Sequence, residues 1–194
     1  MRNALVGVAL LLASSPAFAQ RLASRPYSEA SSDNLEGIYA GIAGGGELMI
    51  SDGNNGVGFS VEGRLGYSFN PALQVYLSGA FDDASYGTPL GDVTFKAEQV
   101  AVYLQYHLLV KPAAMVFARV GIGVGLSSNF VQDTAGNSYT GVGLAQAGGL
   151  GVEIRVAPGL FIAPELFYRG AELSAQGFSS SYQSIGLQVG LVYY

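Results

Sequence analysis

Seven charged residues stand at alternate positions in otherwise apolar or glycine-rich segments: Glu62, Arg64, Arg119, Glu153, Arg155, Glu165 and Arg169. Three carboxylates nearly balance four guanidiniums, and the planar guanidinium fork can bridge two carboxylates. If the fold encloses them, they must pair, because an unpaired buried charge is costly. Two chemistries fit such a set. One is a salt-bridged plug filling a narrow interior; the other is a path for protons or ions.

Other reactive arrangements are weaker. His107 is the only histidine, and Gln105 and Tyr103 share its face. A catalytic base needs a nucleophile and an orienting group within hydrogen-bond reach, and neither stands near it in sequence. The Asp82-Asp83 pair lies at the opposite end of its hairpin, about 20 Å away at a strand's rise per residue. A hydrolase is therefore the third-ranked reading, and His107 is expected to be a capped histidine at a rim. Cysteine is absent, which excludes thiol nucleophiles, Cys-ligated zinc and Fe–S clusters. The stretch Asp52-Gly53-Asn54-Asn55-Gly56 lacks the twelfth-position acid of a calcium loop, since residue 63 is Gly. The Gly121-Ile122-Gly123-Val124-Gly125 run lacks the following helix and Lys of a nucleotide loop. No metal site, cofactor or catalytic residue is assigned.

The elements that would carry these residues are strands. Val57, Phe59, Val61, Leu65, Tyr67 and Phe69 share one parity, while Ser60, Glu62, Arg64 and Ser68 share the other. Successive strand residues face opposite sides, so one face is apolar and the other small or charged. The same alternation recurs over Leu73 to Asp82, Gln99 to Leu108, Val116 to Leu126, Val142 to Arg155, Leu160 to Arg169 and Ser184 to Tyr193. Gly37 to Leu48 is a further, glycine-rich strand whose facing the sequence leaves open. That makes eight. Three connections carry proline and read as tight turns: Asn70-Pro71-Ala72, Lys111-Pro112-Ala113 and Ala157-Pro158-Gly159. The four between them, Ser51 to Gly56, Asp83 to Asp92, Ser127 to Thr140 and Ser174 to Ser181, read as longer polar loops. Both chain ends then fall on the proline-turn side.

Composition decides between environments. Hydrophobic residues make up 49% of the 194 and charged residues 12%, with 28 glycines. No run of 18 apolar residues exists, so helical membrane spans are excluded. Met1-Arg2-Asn3, the apolar Ala4 to Leu12 and Ala17-Phe18-Ala19 form the three parts of a secretory signal, predicted to occupy 1–19. Residues 20–36 are polar, with no periodicity, and read as a flexible periplasmic leader; the barrel is predicted over 37–194. A soluble barrel would turn its apolar face inward. Export, strands long enough to cross a bilayer at a tilt, and a second face too rich in Gly and charge to be a wet exterior all favour apolar side out. The fold class is therefore all-β: an eight-stranded antiparallel up-and-down transmembrane β-barrel. Its interior is just wide enough to be filled by side chains, which favours the plug.

On these features the chain resembles the small eight-stranded outer-membrane barrels of the OmpA-barrel and OmpX type, often called porin-like. The resemblance rests on the signal peptide, the hairpin rhythm and the aromatic end, with Val189, Leu191 and Tyr193 in apolar parity and Tyr194 one residue beyond. It implies a Gram-negative outer membrane, with outer-membrane lipid as surroundings and the outer-membrane assembly machinery as partner during biogenesis. It also implies a structural or surface-interacting role; a narrow porin passing small solutes or ions is the alternative. Tyr67, Phe69, Tyr106 and Tyr193 are expected at the interface nearer the proline turns, and Phe81 and Tyr168 at the other. Glu47, Asp52, Asp82, Asp83, Asp92, Asp133 and Glu172 are expected to make the far rim acidic, which disfavours nucleic acid as a partner.

Overall fold

The computed structural model describes residues 35–51, 54–88, 91–132 and 138–194. The expected signal peptide, the leader up to residue 34, and Asp52, Gly53 and Asp133 lie outside the described residues. Eight strands follow one another: β1 Gly37–Ser51, β2 Asn54–Asn70, β3 Leu73–Thr88, β4 Gly91–Val110, β5 Ala114–Gln132, β6 Ser138–Ala157, β7 Leu160–Ala175 and β8 Phe178–Tyr193. Each pairs antiparallel with the next, and β1 pairs with β8 from Ala40↔Tyr193 to Ser51↔Tyr182. The sheet is thus a closed up-and-down barrel, as the alternation requires.

The three proline turns are built locally. The Asn70 side chain accepts the backbone N–H of Ala72 at 2.8 Å and of Leu73 at 3.0 Å, an Asx turn that leaves Pro71 without a ladder position. Lys111 and Ala114 exchange backbone hydrogen bonds around Pro112, at 3.0 and 3.2 Å. Gly159 follows Pro158 with φ +71°, and its carbonyl accepts the N–H of Tyr194 at 3.0 Å. Register shifts at Ser68/Asn70, His107/Leu109 and Arg155/Ala157 all lie beside these turns, where bulges commonly end barrel ladders.

The far end differs from expectation. The four long loops are mostly ladder: β7 runs to Ala175 and β8 starts at Phe178, joined by Gln176 and Gly177 with φ of 49° and 81°. Two successive positive φ values match the hairpin turn whose twist fits strands. Likewise β3 and β4 pair out to Thr88↔Gly91. A ladder is held by backbone groups and needs no apolar face, so polarity marked where the apolar face ends, not where the strands end.

Facing follows the predicted parity. Arg119 is 3% exposed and its neighbour Val120 50%; Leu104 and Leu187, at 47% and 68%, are also on the outer face. The open question of β1 resolves with Tyr39, Ala43, Glu47 and Met49 inside and Ile38, Ile42, Leu48 and Ile50 outside. Inside the ring two apolar layers bracket a polar middle. Leu35, Tyr39, Met115, Phe161 and Val192 fill the proline-turn end. Met49, Ala97, Ala171, Leu173 and Tyr182 fill the far end.

Candidate functional site: the lumen network

Glu62 of β2 is the centre of the polar middle. Its Oε1 accepts Arg119 Nη1 at 2.6 Å and Ser78 Oγ at 2.7 Å. Its Oε2 accepts Arg64 Nη2 at 3.0 Å, Arg119 Nη2 at 2.9 Å, Arg169 Nη2 at 2.8 Å and Gln188 Nε2 at 2.9 Å. Glu165 of β7 is the second anchor: it accepts Arg64 Nη2 at 2.7 Å, Arg119 Nε and Gln188 Nε2 at 3.1 Å. Arg169 reaches on to Asp82 Oδ1 at 2.8 Å and to Ser60 Oγ. Three guanidiniums and three carboxylates therefore close on one another, drawn from β2, β3, β5 and β7. Charge-assisted bonds of this kind are about twice as strong as neutral ones.

Aromatic rings and glycines give the arginines room and backing. Arg119 Cζ lies 4.6 Å from the centre of the Tyr103 ring, and Arg169 Cζ 4.3 Å from that of Phe167. Tyr103 stacks on Tyr76 with ring centres 5.2 Å apart, and the Tyr76 hydroxyl accepts Arg119 Nη1 at 2.9 Å. A Cβ at Gly149 would meet Glu165 Oε1 and Arg119 Nε and push their side chains from these positions. A Cβ at Gly121 would strike the Tyr103 ring.

A second polar group lies nearer the proline turns. Glu153 accepts Gln105 Nε2 at 2.9 Å, lies 3.1 Å from His107 Nε2 and accepts the Tyr194 hydroxyl. Gln74 Nε2 donates to the same Tyr194 oxygen. The Tyr76 hydroxyl links the two groups by donating to Gln105 Oε1 at 3.3 Å.

Against expectation, then, five of the seven predicted lumen charges meet: Glu62, Arg64, Arg119, Glu165 and Arg169. Glu153 belongs instead to the group nearer the proline turns, with Gln105, His107 and Tyr194. The register sets Arg119 opposite Gly149 and Glu153 opposite Met115. Barrel strands tilt and stagger, so equal counts from neighbouring turns are not equal depths. Arg155 lies two residues nearer the proline turn, with Cζ 5.5 Å from the Phe161 ring centre. His107 is also corrected: it is 2% exposed and interior, not at the rim. Asp82 and Glu47 turn inward rather than forming the acidic rim, whereas Asp83 faces outward, 3.8 Å from Lys96. The sequence reading missed Asp82, Gln188, Ser60, Ser78, Tyr76, Gln74 and Tyr194 as network members. The signal for them was available, since all share inward parity.

All six expected interfacial aromatics are on the outer face. Tyr67, Phe69 and Tyr193 are exposed, and Tyr106, Phe81 and Tyr168 half-buried. Tyr67 pairs with Phe69 at 5.3 Å, and Phe81 with Phe59 at 6.2 Å.

A closed eight-stranded ring with a buried, hydrogen-bonded polar interior and an apolar exterior is the architecture of a membrane wall. In sequence, residues 5–194 match the outer membrane protein beta-barrel domain. The chain belongs to that family. Membership of this outer-membrane β-barrel family places the protein in an outer membrane. Among solved structures, the crystal structure of the neisserial surface protein A superposes with a TM-score of 0.64 at 15% identity, covering 80% of this chain and 96% of the other. OprG, an outer membrane protein of Pseudomonas aeruginosa, gives 0.50 at 14% identity, covering 84% and 100%. These two likenesses are of fold. No curated protein matches the chain in sequence. For an outer-membrane β-barrel, the Tyr193–Tyr194 end is informative: Tyr193 is on the outer face, while the Tyr194 phenol turns into the lumen.

Proposed function

We propose that this outer-membrane barrel is a closed wall element, structural or surface-interacting in role, whose lumen does not conduct. One observation carries this reading: the Arg64–Arg119–Arg169 network with Glu62, Glu165 and Asp82 spans the lumen and is bracketed by apolar layers at both ends. An eight-stranded interior has little volume beyond what such side chains fill. A hydrolase would need a hydroxyl or thiol nucleophile beside His107, and that ring meets Glu153 and Gln105 instead. In the same reading, residues 1–19 direct export in a Gram-negative cell, the short proline turns face the periplasm, and acyl chains cover the outer face. The assembly machinery would read the aromatic end at Tyr193. Planar-bilayer recording tests the conductance: no stable open steps are expected at neutral pH, and stable steps would establish the narrow porin instead.

A further inference from the structure

The chain enters the barrel through a bend. Gly37 opens β1 with φ +126°, a conformation that side chains rarely adopt, and a Cβ there would meet no atom within 4 Å. Glycine is therefore present for the bend and not for space. The bend decides where Leu35 goes. The β1–β2 register begins at Gly37↔Ser68, so two further extended residues would bring Leu35 level with Asn70, at the exposed turn and clear of the lumen. Instead Leu35 is 3% exposed and belongs to the apolar layer of Tyr39, Met115, Phe161 and Val192, while Glu36 beside it stays exposed.

Leu35 differs from the other members of that layer. Tyr39 and Val192 are fixed by ladder pairs on β1 and β8, whereas Leu35 and Glu36 precede β1 and hold no ladder position. Leu35 can therefore leave its seat without breaking the sheet, and what holds it there is the burial of one apolar side chain. Directly inward lies the Glu153 group. Met115 of the layer is the register partner of Glu153, and Tyr194, packed against the layer, gives its hydroxyl to Glu153. We propose that Leu35 is a movable stopper: the segment ahead of β1 turns at Gly37, seats Leu35 in the proline-turn mouth and keeps water from Glu153, His107 and Gln105. Its departure opens that carboxylate group to the aqueous side, while the arginine layer beyond stays in place.

The chain has no cysteine, so one introduced thiol reports on the mouth. Val192→Cys is nearly isosteric and lies in the same layer as Leu35; Leu173→Cys lies in the layer at the far end. The full chain carrying one of these thiols is folded in detergent micelles and treated with a small charged methanethiosulfonate. With Leu35 in place, Val192→Cys should react slowly. Leu35→Ala should speed that reaction by about 10- to 100-fold, the equilibrium worth of a buried Leu side chain, and leave Leu173→Cys unchanged. Leu35→Met refills the seat and should keep the slow rate. Gly37→Val retains Leu35 but strains the bend, so it should also expose Val192→Cys. An unchanged Val192→Cys rate in Leu35→Ala overturns the stopper. So does an equal rise at both thiols, which would mean general loosening, or a Val192→Cys thiol that reacts as fast as an exposed one with Leu35 in place. Should Leu35→Ala not fold, Gly37→Val is judged by the same two rates. The proposal takes from the closed-wall reading only that this mouth is sealed at rest, and conductance is measured apart. A conducting parent barrel whose Val192→Cys reacts only after Leu35→Ala would refute the closed wall and support the stopper.

Discussion

The middle of the lumen and its proline-turn end solve the same problem in different ways. Both bury carboxylates away from water. In the middle, Glu62 and Glu165 are matched by fixed guanidiniums that cannot lose their charge. At the proline-turn end, Glu153 is held by an amide, an imidazole and a phenol. The first is a lattice of full charges in which every member depends on the others. The second is one carboxylate solvated by adaptable donors. Removing a member should therefore cost far more in the middle than at the end.

The sharpest comparison is the same isosteric change at both places. Glu62→Gln leaves Arg64, Arg119 and Arg169 facing one another around a neutral amide. Breaking a buried ion pair from one side costs about 3–5 kcal/mol, and urea unfolding in lipid vesicles should show a loss of that size. Arg119→Ala should match it, since Arg119 contacts Glu62, Glu165 and Tyr76. The signs with pH are opposite. Arg119→Ala leaves excess negative charge, which protonation relieves, so its deficit should shrink at acidic pH. Glu62→Gln leaves excess positive charge, so its deficit should not shrink there. Equal pH responses would break the picture of a charge-matched layer.

Next in size is a change that tests whether either layer is inside at all. Leu104 faces out and Gln105 faces in, one residue apart on β4. Leu104→Arg puts a charge at the lipid face and should cost about 2–4 kcal/mol in folding into vesicles. Gln105→Leu should cost less, through the bond it gives Glu153 and the one it accepts from Tyr76. A barrel that tolerates Leu104→Arg but not Gln105→Leu would reverse the two faces.

Glu153→Gln should cost about 1–3 kcal/mol, the scale of a buried hydrogen-bonding group left poorly matched. A loss as large as that of Glu62→Gln in the same urea titration would erase the distinction between the layers. Smallest is Tyr194→Phe. The ring contacts with Tyr39 at 5.4 Å and Phe161 at 5.3 Å remain, while the hydroxyl between Glu153 and Gln74 goes. About 1 kcal/mol is expected in the same assay.

The two layers were also unequally legible in the sequence. Parity alone put Glu62, Arg64, Arg119, Glu165 and Arg169 on one face, because period-two alternation is a local property. Parity did not settle β1, where Gly41, Gly44, Gly45 and Gly46 carry no side chain to mark a face. It could not pair His107 with Glu153 or Arg169 with Asp82, which stand 46 and 87 residues apart. Those partners are set by the stagger of a closed ring, which no single strand encodes. The far-end ladders were missed for the converse reason: their hydrogen bonds are made by the backbone, which the side-chain pattern does not report.

The pairing of β1 with β8 has a consequence for the order of events during assembly. Every other hairpin joins neighbours in sequence, but this seam joins the first strand to the last. Until β8 has formed, the edge of β1 presents unpaired N–H and C=O groups, which invite pairing with the wrong strand. In a hydrocarbon setting those groups also have no water to satisfy them. The growing sheet therefore has to be shielded for nearly the whole time it takes to build. Closing the largest loop in the chain is the slow, entropically opposed step. Truncation of β8 should accordingly leave not a slightly weaker barrel but a sheet with two sticky borders.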